Sequence, residues 1–81
     1  MKIPVQFYAQ LRDIVGVSSL EVDVPQGATV AQLIDKICEL KPALRTYYKS
    51  ILVGAGVNFV ERDHVIGDGE ELAIMPPVQG G

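Results

Sequence analysis

The chain is short of the residue types on which most protein chemistry depends. Its single cysteine, Cys38, cannot close an internal disulfide, and that scarcity fits a reducing compartment. Its single histidine, His64, has only that one thiol for company, too few nitrogen and sulfur ligands for a zinc site. Basic residues are outnumbered, 7 Lys and Arg against 10 Asp and Glu, and the net charge of −3 leaves no cationic footprint for nucleic acid. No apolar run approaches the roughly 20 residues needed to cross a bilayer. The first residues, Met1 to Tyr8, alternate polar and apolar instead of forming the hydrophobic stretch of a signal peptide. The expectation is a cytoplasmic protein without nucleic-acid or membrane partners. What is there is ordinary for a soluble globular chain: 81 residues, 48% hydrophobic and 21% charged, enough for one domain but too few for a large enclosed active site.

Ile3, Val5 and Phe7 alternate with Pro4, Gln6 and Tyr8, the period of a half-buried strand, with Pro4 placing the strand's start near an edge or outside the ladder. Leu11 to Val15 before Gly16 reads as a short helical turn capped by glycine. Leu20, Val22 and Val24 form a second alternating strand, stopped by Pro25-Gln26-Gly27, so the first two strands suggest a hairpin with a widened connection. Thr29 to Gln32 is a capping-box pattern opening the main helix. Val30, Leu33, Ile34, Ile37 and Lys41 keep helical spacing until Pro42 ends it. A polar stretch from Arg45 to Ser50 leads to a third strand at Ile51-Leu52-Val53, where Gly54 and Gly56 suggest a bulge or a close approach. Phe59-Val60 reads as a short edge strand, Glu61 to Gly67 as a polar loop and Asp68-Gly69 as a turn. Leu72 to Met75 is apolar without alternation, as in a central strand buried on both faces. This order predicts an α+β fold in which one main helix lies on one face of a mixed sheet, with the first and last strands parallel at its centre. That is a β-grasp arrangement, as in ubiquitin. It would occupy residues 1–75, with 76–81 as an extended, flexible C-terminal tail.

Catalytic constellations are missing. Gly54-Ala55-Gly56 lacks the third glycine and the helix of a dinucleotide fingerprint, and no phosphate-loop lysine follows it. His64 reads as a solvated loop residue rather than a general base, and Cys38, on the helix, as a small buried hydrophobe rather than a nucleophile. The aspartates fall in separate turns and strands, so no carboxylate pair can be assembled for acid–base work. No pocket of its own is expected to make the chain an enzyme acting alone.

The informative segment is Pro76-Pro77-Val78-Gln79-Gly80-Gly81. Two prolines cannot extend the sheet ladder, so they should end the last strand and direct the tail away from the body. Two glycines carry no Cβ and can thread a channel that larger residues would block. Fraying at a chain end is the plain alternative. With no catalytic group elsewhere, the expectation is an accessible glycine carboxylate and a chain that serves as a substrate or carrier for other proteins' catalysts. Attack of that carboxylate on the α-phosphate of ATP would give an acyl-adenylate, and sulfide delivered to the same carbonyl would leave a thiocarboxylate.

Phe7-Tyr8-Ala9-Gln10-Leu11-Arg12-Asp13, Gly27-Ala28-Thr29-Val30, Asp68-Gly69-Glu70-Glu71-Leu72 and the Pro-Pro-Val-x-Gly-Gly ending together resemble the small subunits of molybdopterin synthase. These MoaD-like sulfur carriers are related to the thiamine carrier ThiS. The resemblance implies that Gly81, reached through Gly80, is adenylated by an E1-like activating enzyme and sulfurated from a sulfur donor protein. The loaded tail would then enter the large synthase subunit and give sulfur to precursor Z, building the dithiolene of molybdopterin. No cofactor would be bound by this chain and no metal held by it; ATP and magnesium belong to the activating enzyme. By position the resemblance puts the partner-facing surface on Tyr8, Phe59 and Met75, with Arg12 as a polar contact and Pro76, Pro77, Val78 and Gln79 in the tail. For Phe59 and Met75 the competing reading is core packing; for Tyr8 and Arg12 it is ordinary surface. One departure concerns the turn before the fourth strand, where the family's Val-Asn pair falls here at Val57-Asn58, so the direction of Phe59 stays open. A thiamine-type carrier and a ubiquitin-like modifier conjugated through Gly81 remain as alternatives, as does a non-covalent β-grasp adaptor.

Overall fold

The computed structural model describes residues 1–77. Val78, Gln79, Gly80 and Gly81, with the expectations attached to them, lie outside the described residues. Five strands form one sheet in the order β2-β1-β5-β3-β4: β1 is Lys2–Phe7, β2 Ser19–Asp23, β3 Leu52–Ala55, β4 Asn58–Val60 and β5 Leu72–Met75. β1 and β5 run parallel in the middle and every other neighbour is antiparallel, which is the β-grasp topology. Helix α1, Gln10–Val15, sits inside the connection from β1 to β2 and widens that hairpin, while α2, Val30–Leu40, covers one face of the sheet.

The alternation along the strands translates directly into two faces. Ile3, Val5 and Phe7 of β1, Val22 of β2, Val53 of β3, and Leu72 and Ile74 of β5 are buried beneath α2, whose stripe of Val30, Leu33, Ile34, Ile37 and Cys38 is wholly enclosed. Pro4 precedes the pairing of β1 with β5, which begins at Val5↔Leu72. The N–H groups of Val24 and Phe7 bond across to Met1 and Ser18, so the odd positions of β1 face β2. The nitrogen of Pro4 therefore points to the side where no ladder has yet begun, and its missing donor costs nothing.

The start of α2 is satisfied from two directions. Thr29 Oγ1 accepts from Gln32 N at 3.3 Å, and Thr29 N donates to Gln32 Oε1 at 2.8 Å, completing the capping box. The next two N–H groups, of Val30 and Ala31, donate to the carbonyls of His64 and Arg62, each at 2.9 Å. The long loop after β4 is thus pinned to the helix by the donors a helix leaves over. Gly16, at φ +85°, closes α1 in the left-handed conformation, its N–H bonded to Arg12 O at 2.9 Å.

Three expectations are corrected. Arg45 to Ser50 is not simply a polar stretch: a 3-10 helix runs over Pro42–Tyr47, opened by proline and anchored by buried Leu44. Gly54 makes no bulge, because β3 keeps regular register on both sides, Gly54↔Ala73 and Gly54↔Phe59. β5 is central, as expected, yet it is enclosed on one face only: Leu72 and Ile74 are buried, whereas Ala73 and Met75 are half-buried on the opposite side.

Ala9 leads into α1 with φ 52° and ψ −135°, a conformation that residues with a Cβ rarely adopt. Strain of this kind costs about 1–3 kcal/mol. Glycine would relieve it at an unfolded-state entropy cost of about 0.4–1 kcal/mol. Strain is the larger quantity, so Ala9→Gly is expected to raise stability by about 1 kcal/mol. Thermal unfolding checks this; an unchanged or lower melting temperature would mean that the strain is not felt.

Candidate partner-docking face and its supports

The candidate site is on the sheet face opposite α2. Strand register places Phe59, Gly54, Ala73 and Gln6 in one row across it, since Gly54 pairs with both Phe59 and Ala73 and Ala73 pairs with Gln6. Leu52 and Met75 pair in the adjacent row. Tyr8 follows β1 directly and donates its N–H to Ile74 O at 3.1 Å, which brings it alongside the end of β5. Phe59 is 66% exposed and Tyr8 47% exposed, while Met75 and Leu52 are half-buried. Core packing is therefore excluded for Phe59, and Met75 points away from the core. Exposed large apolar groups collected on one face mark a contact surface more often than scattered ones do.

The direction of Phe59 is decided by its partner on β3. Ala55↔Asn58 closes a two-residue loop, Gly56-Val57, with Gly56 at φ +64° in the first central position. Only glycine takes that place without strain in the hairpin turns whose twist suits the strands. Phe59 pairs with Gly54, and paired residues share a face, so Phe59 stands on the open side while Val60 pairs with Val53 and packs against the core.

Arg12 lies on α1, exposed, at the end of the sheet where β1 finishes. Pro76 and Pro77 follow β5 immediately and are half-buried, outside any strand. Of the ten residues expected from the sequence, Tyr8, Arg12, Phe59, Met75, Pro76 and Pro77 are described, and Val78, Gln79, Gly80 and Gly81 are not. Tyr8, Met75 and Phe59 share the open face; no described contact joins Arg12 to them.

Two supports escaped the sequence reading. Arg62 reaches back from the loop after β4, its Nη2 donating to the carbonyls of Tyr48 and Ile51, the latter at 3.2 Å. Its guanidinium lies 5.3 Å from the centre of the Tyr48 ring. This clamp holds the entry to β3 beside a hollow of about 250 Å³ bordered by Lys49, Leu52, Phe59 and Val60. The hollow is smaller than ordinary small-molecule sites. No local pattern announces Arg62, because its partners lie 11 and 14 residues away.

His64 is neither solvated nor catalytic in setting. It is half-buried, its Nε2 3.0 Å from Glu70 Oε1, and the same oxygen accepts Gly67 N at 3.0 Å. The Gly67 N–H, then the His64 bond, hold the Glu70 carboxyl below its ordinary range. A depressed carboxyl contributes stability that is complete above the ordinary value of 4.5 and fades as pH falls through the lower folded value. Glu70→Gln keeps an oxygen for Gly67 but removes the titration. Its melting temperature is therefore expected to fall less steeply than the native chain's between about pH 5 and pH 3. Parallel curves would show the pair to be idle.

Cys38 has no exposed surface, and burial pushes its thiol up from the ordinary value, the opposite of what a nucleophile needs. Among the described residues, no group of three His, Cys, Asp or Glu side chains could hold a metal ion, and no helix is long and apolar enough to cross a membrane.

Residues 5–81 match the ThiS family. The chain belongs to that family. Among curated ThiS-like relatives, the molybdopterin synthase sulfur carrier subunit of Escherichia coli is 35% identical, over 98% of this chain and 99% of its own length. That of Chlamydomonas reinhardtii is 30% identical with both chains covered completely. Among solved structures, SAMP1 of Haloferax volcanii, a small archaeal modifier protein, superposes with a TM-score of 0.88 at 28% identity, again over the whole of both chains. The family match begins inside β1 and runs to Gly81, so it spans the open face and the segment beyond it together.

Proposed function

We propose that this ThiS-family chain is the sulfur-carrying subunit of a molybdopterin synthase, with Gly81 as the group that is loaded. The observation that carries this reading is its 35% identity, along nearly its whole length, to a carrier subunit of that name. The apolar face formed by Tyr8, Leu52, Phe59 and Met75 supports it, because that face adjoins the strand end from which Pro76-Pro77 leads to Gly80-Gly81.

The chemistry divides between proteins. A carboxylate is a poor acyl donor, so its oxygen first attacks the α-phosphate of ATP and pyrophosphate leaves. ATP and its magnesium sit in an E1-like activating enzyme, not in this chain. Sulfide supplied by a donor protein then attacks the acyl-adenylate carbonyl, AMP departs, and Gly81 ends in a thiocarboxylate. In the large synthase subunit that sulfur bonds to a carbon of precursor Z as an oxygen substituent leaves, and hydrolysis of the resulting acyl–sulfur bond leaves the sulfur on the pterin and returns the carboxylate. This chain contributes a docking face and a pair of glycines that carry no Cβ.

Incubation with an activating enzyme, ATP and a sulfur source tests the proposal by intact mass. The expected product gains the difference between one sulfur and one oxygen; recovery of the unchanged mass would refute it. A second reading, a protein modifier joined to lysines through Gly81, is favoured by the likeness to SAMP1. Both readings pass through the adenylate. Isopeptide-linked adducts in cell extracts, without a thiocarboxylate species, would decide for the modifier.

A further inference from the structure

Gly54 sits in the middle of β3, on the open face, yet it is buried. It is not among the glycines with positive φ, so its backbone does not demand glycine. Glycine in a strand interior is a cost, because it gives up side-chain packing and orders a very free segment of chain. The space above it supplies the reason. A Cβ built there would lie 3.0 Å from Met75 Cε, against 3.8 Å from Asn58 O and 3.9 Å from Ala73 Cβ. Only the first is closer than ordinary contact. The Met75 Cε therefore occupies the room left by the missing methyl, while Met75 pairs with Leu52 and Gly54 with Phe59.

We propose that Gly54 is a positioning residue for partner docking: it is the seat on which Met75 rests, and through Met75 it sets the level of the face beside Phe59, one residue before Pro76-Pro77. The inference rests on the reading of this face as the carrier's contact with the large synthase subunit. Interface cores pack as densely as protein interiors, so a methionine raised from its seat meets the partner out of register. Thioether side chains are flexible enough to yield to a new methyl, so the fold survives the change while the face does not.

Gly54→Ala is expected to keep the native melting temperature or exceed it, and to weaken affinity for the large subunit at least about tenfold. The decisive comparison is made in a Met75→Ala background, where the obstructed atom is gone. There Gly54→Ala is expected to add little further loss. A loss of equal size in both backgrounds, or none in the native background, would overturn the proposal. An independent readout needs no variant: a nuclear Overhauser contact between the Met75 ε-methyl and the Gly54 α-protons is expected in the free chain and retained in the complex. Its disappearance on binding would also overturn the proposal. Failure of the native chain to bind the large subunit would instead refute the carrier reading on which the inference stands.

Discussion

Deleting Gly81, or adding one residue after it, is expected to abolish thiocarboxylate formation and sulfur transfer while leaving thermal stability unchanged. An extended residue moves the reacting carbonyl by about 3.3–3.6 Å. Misplacement of reacting groups by about 1 Å can already cost on the order of a hundredfold in rate. On the proposed function, a shift three times larger takes the carbonyl out of reach of both ATP and the incoming sulfide, since docking through Tyr8, Phe59 and Met75 would fix where the tail begins. The fold has no stake in the change: the core is complete by Ile74, and β5 ends at Met75. Intact mass after loading, read with a melting curve, checks both halves. Sulfur loading of either variant at the native rate would refute the assignment of Gly81.

Ile74→Ala is expected to cost about 2–5 kcal/mol, the range for truncating a fully enclosed isoleucine. A domain of this size has about 5–15 kcal/mol in total. Each kcal/mol lowers the melting temperature by about 4–8 °C, so a fall of roughly 8–40 °C follows. Ile74 has no exposed surface, pairs with Phe7 on one side and Val53 on the other, and lies under α2. Its neighbour Met75 faces the other way, so Met75→Ala is expected to cost far less stability while weakening partner binding. Thermal denaturation of the two variants side by side tests the assignment of faces. Comparable destabilisation by both would contradict it.

The sequence was legible where one local rule acted alone. Alternation along β1 and β2 reads correctly because one face of that hairpin meets the core and the other meets water, as Ile3 and Val5 against Lys2 and Gln6 show. The capping box at Thr29 and the stop at Pro42 read correctly because both are contacts within a few residues. β5 misled for a physical reason. Ala73 and Met75 are apolar on the open face, so composition cannot separate this surface from a second core. Phe59 was unreadable because its direction follows from pairing with Gly54 rather than with a residue one position away, a register that the residues around the turn leave open. Arg62, the His64–Glu70 pair and the gap above Gly54 are tertiary contacts, and no short-range pattern encodes them. The segment from Val78 to Gly81 owed its reading to chemistry rather than to any structural signal.

The side-by-side, same-direction placement of β1 and β5 carries a mechanical consequence. Traction applied to the chain on either side of these two strands pulls them in opposite senses along their common axis. Their evenly spaced cross-links then bear the load together, in shear, and cannot be unzipped one after another. A motor that unthreads proteins from an end would meet its greatest resistance at the very first strand it grips.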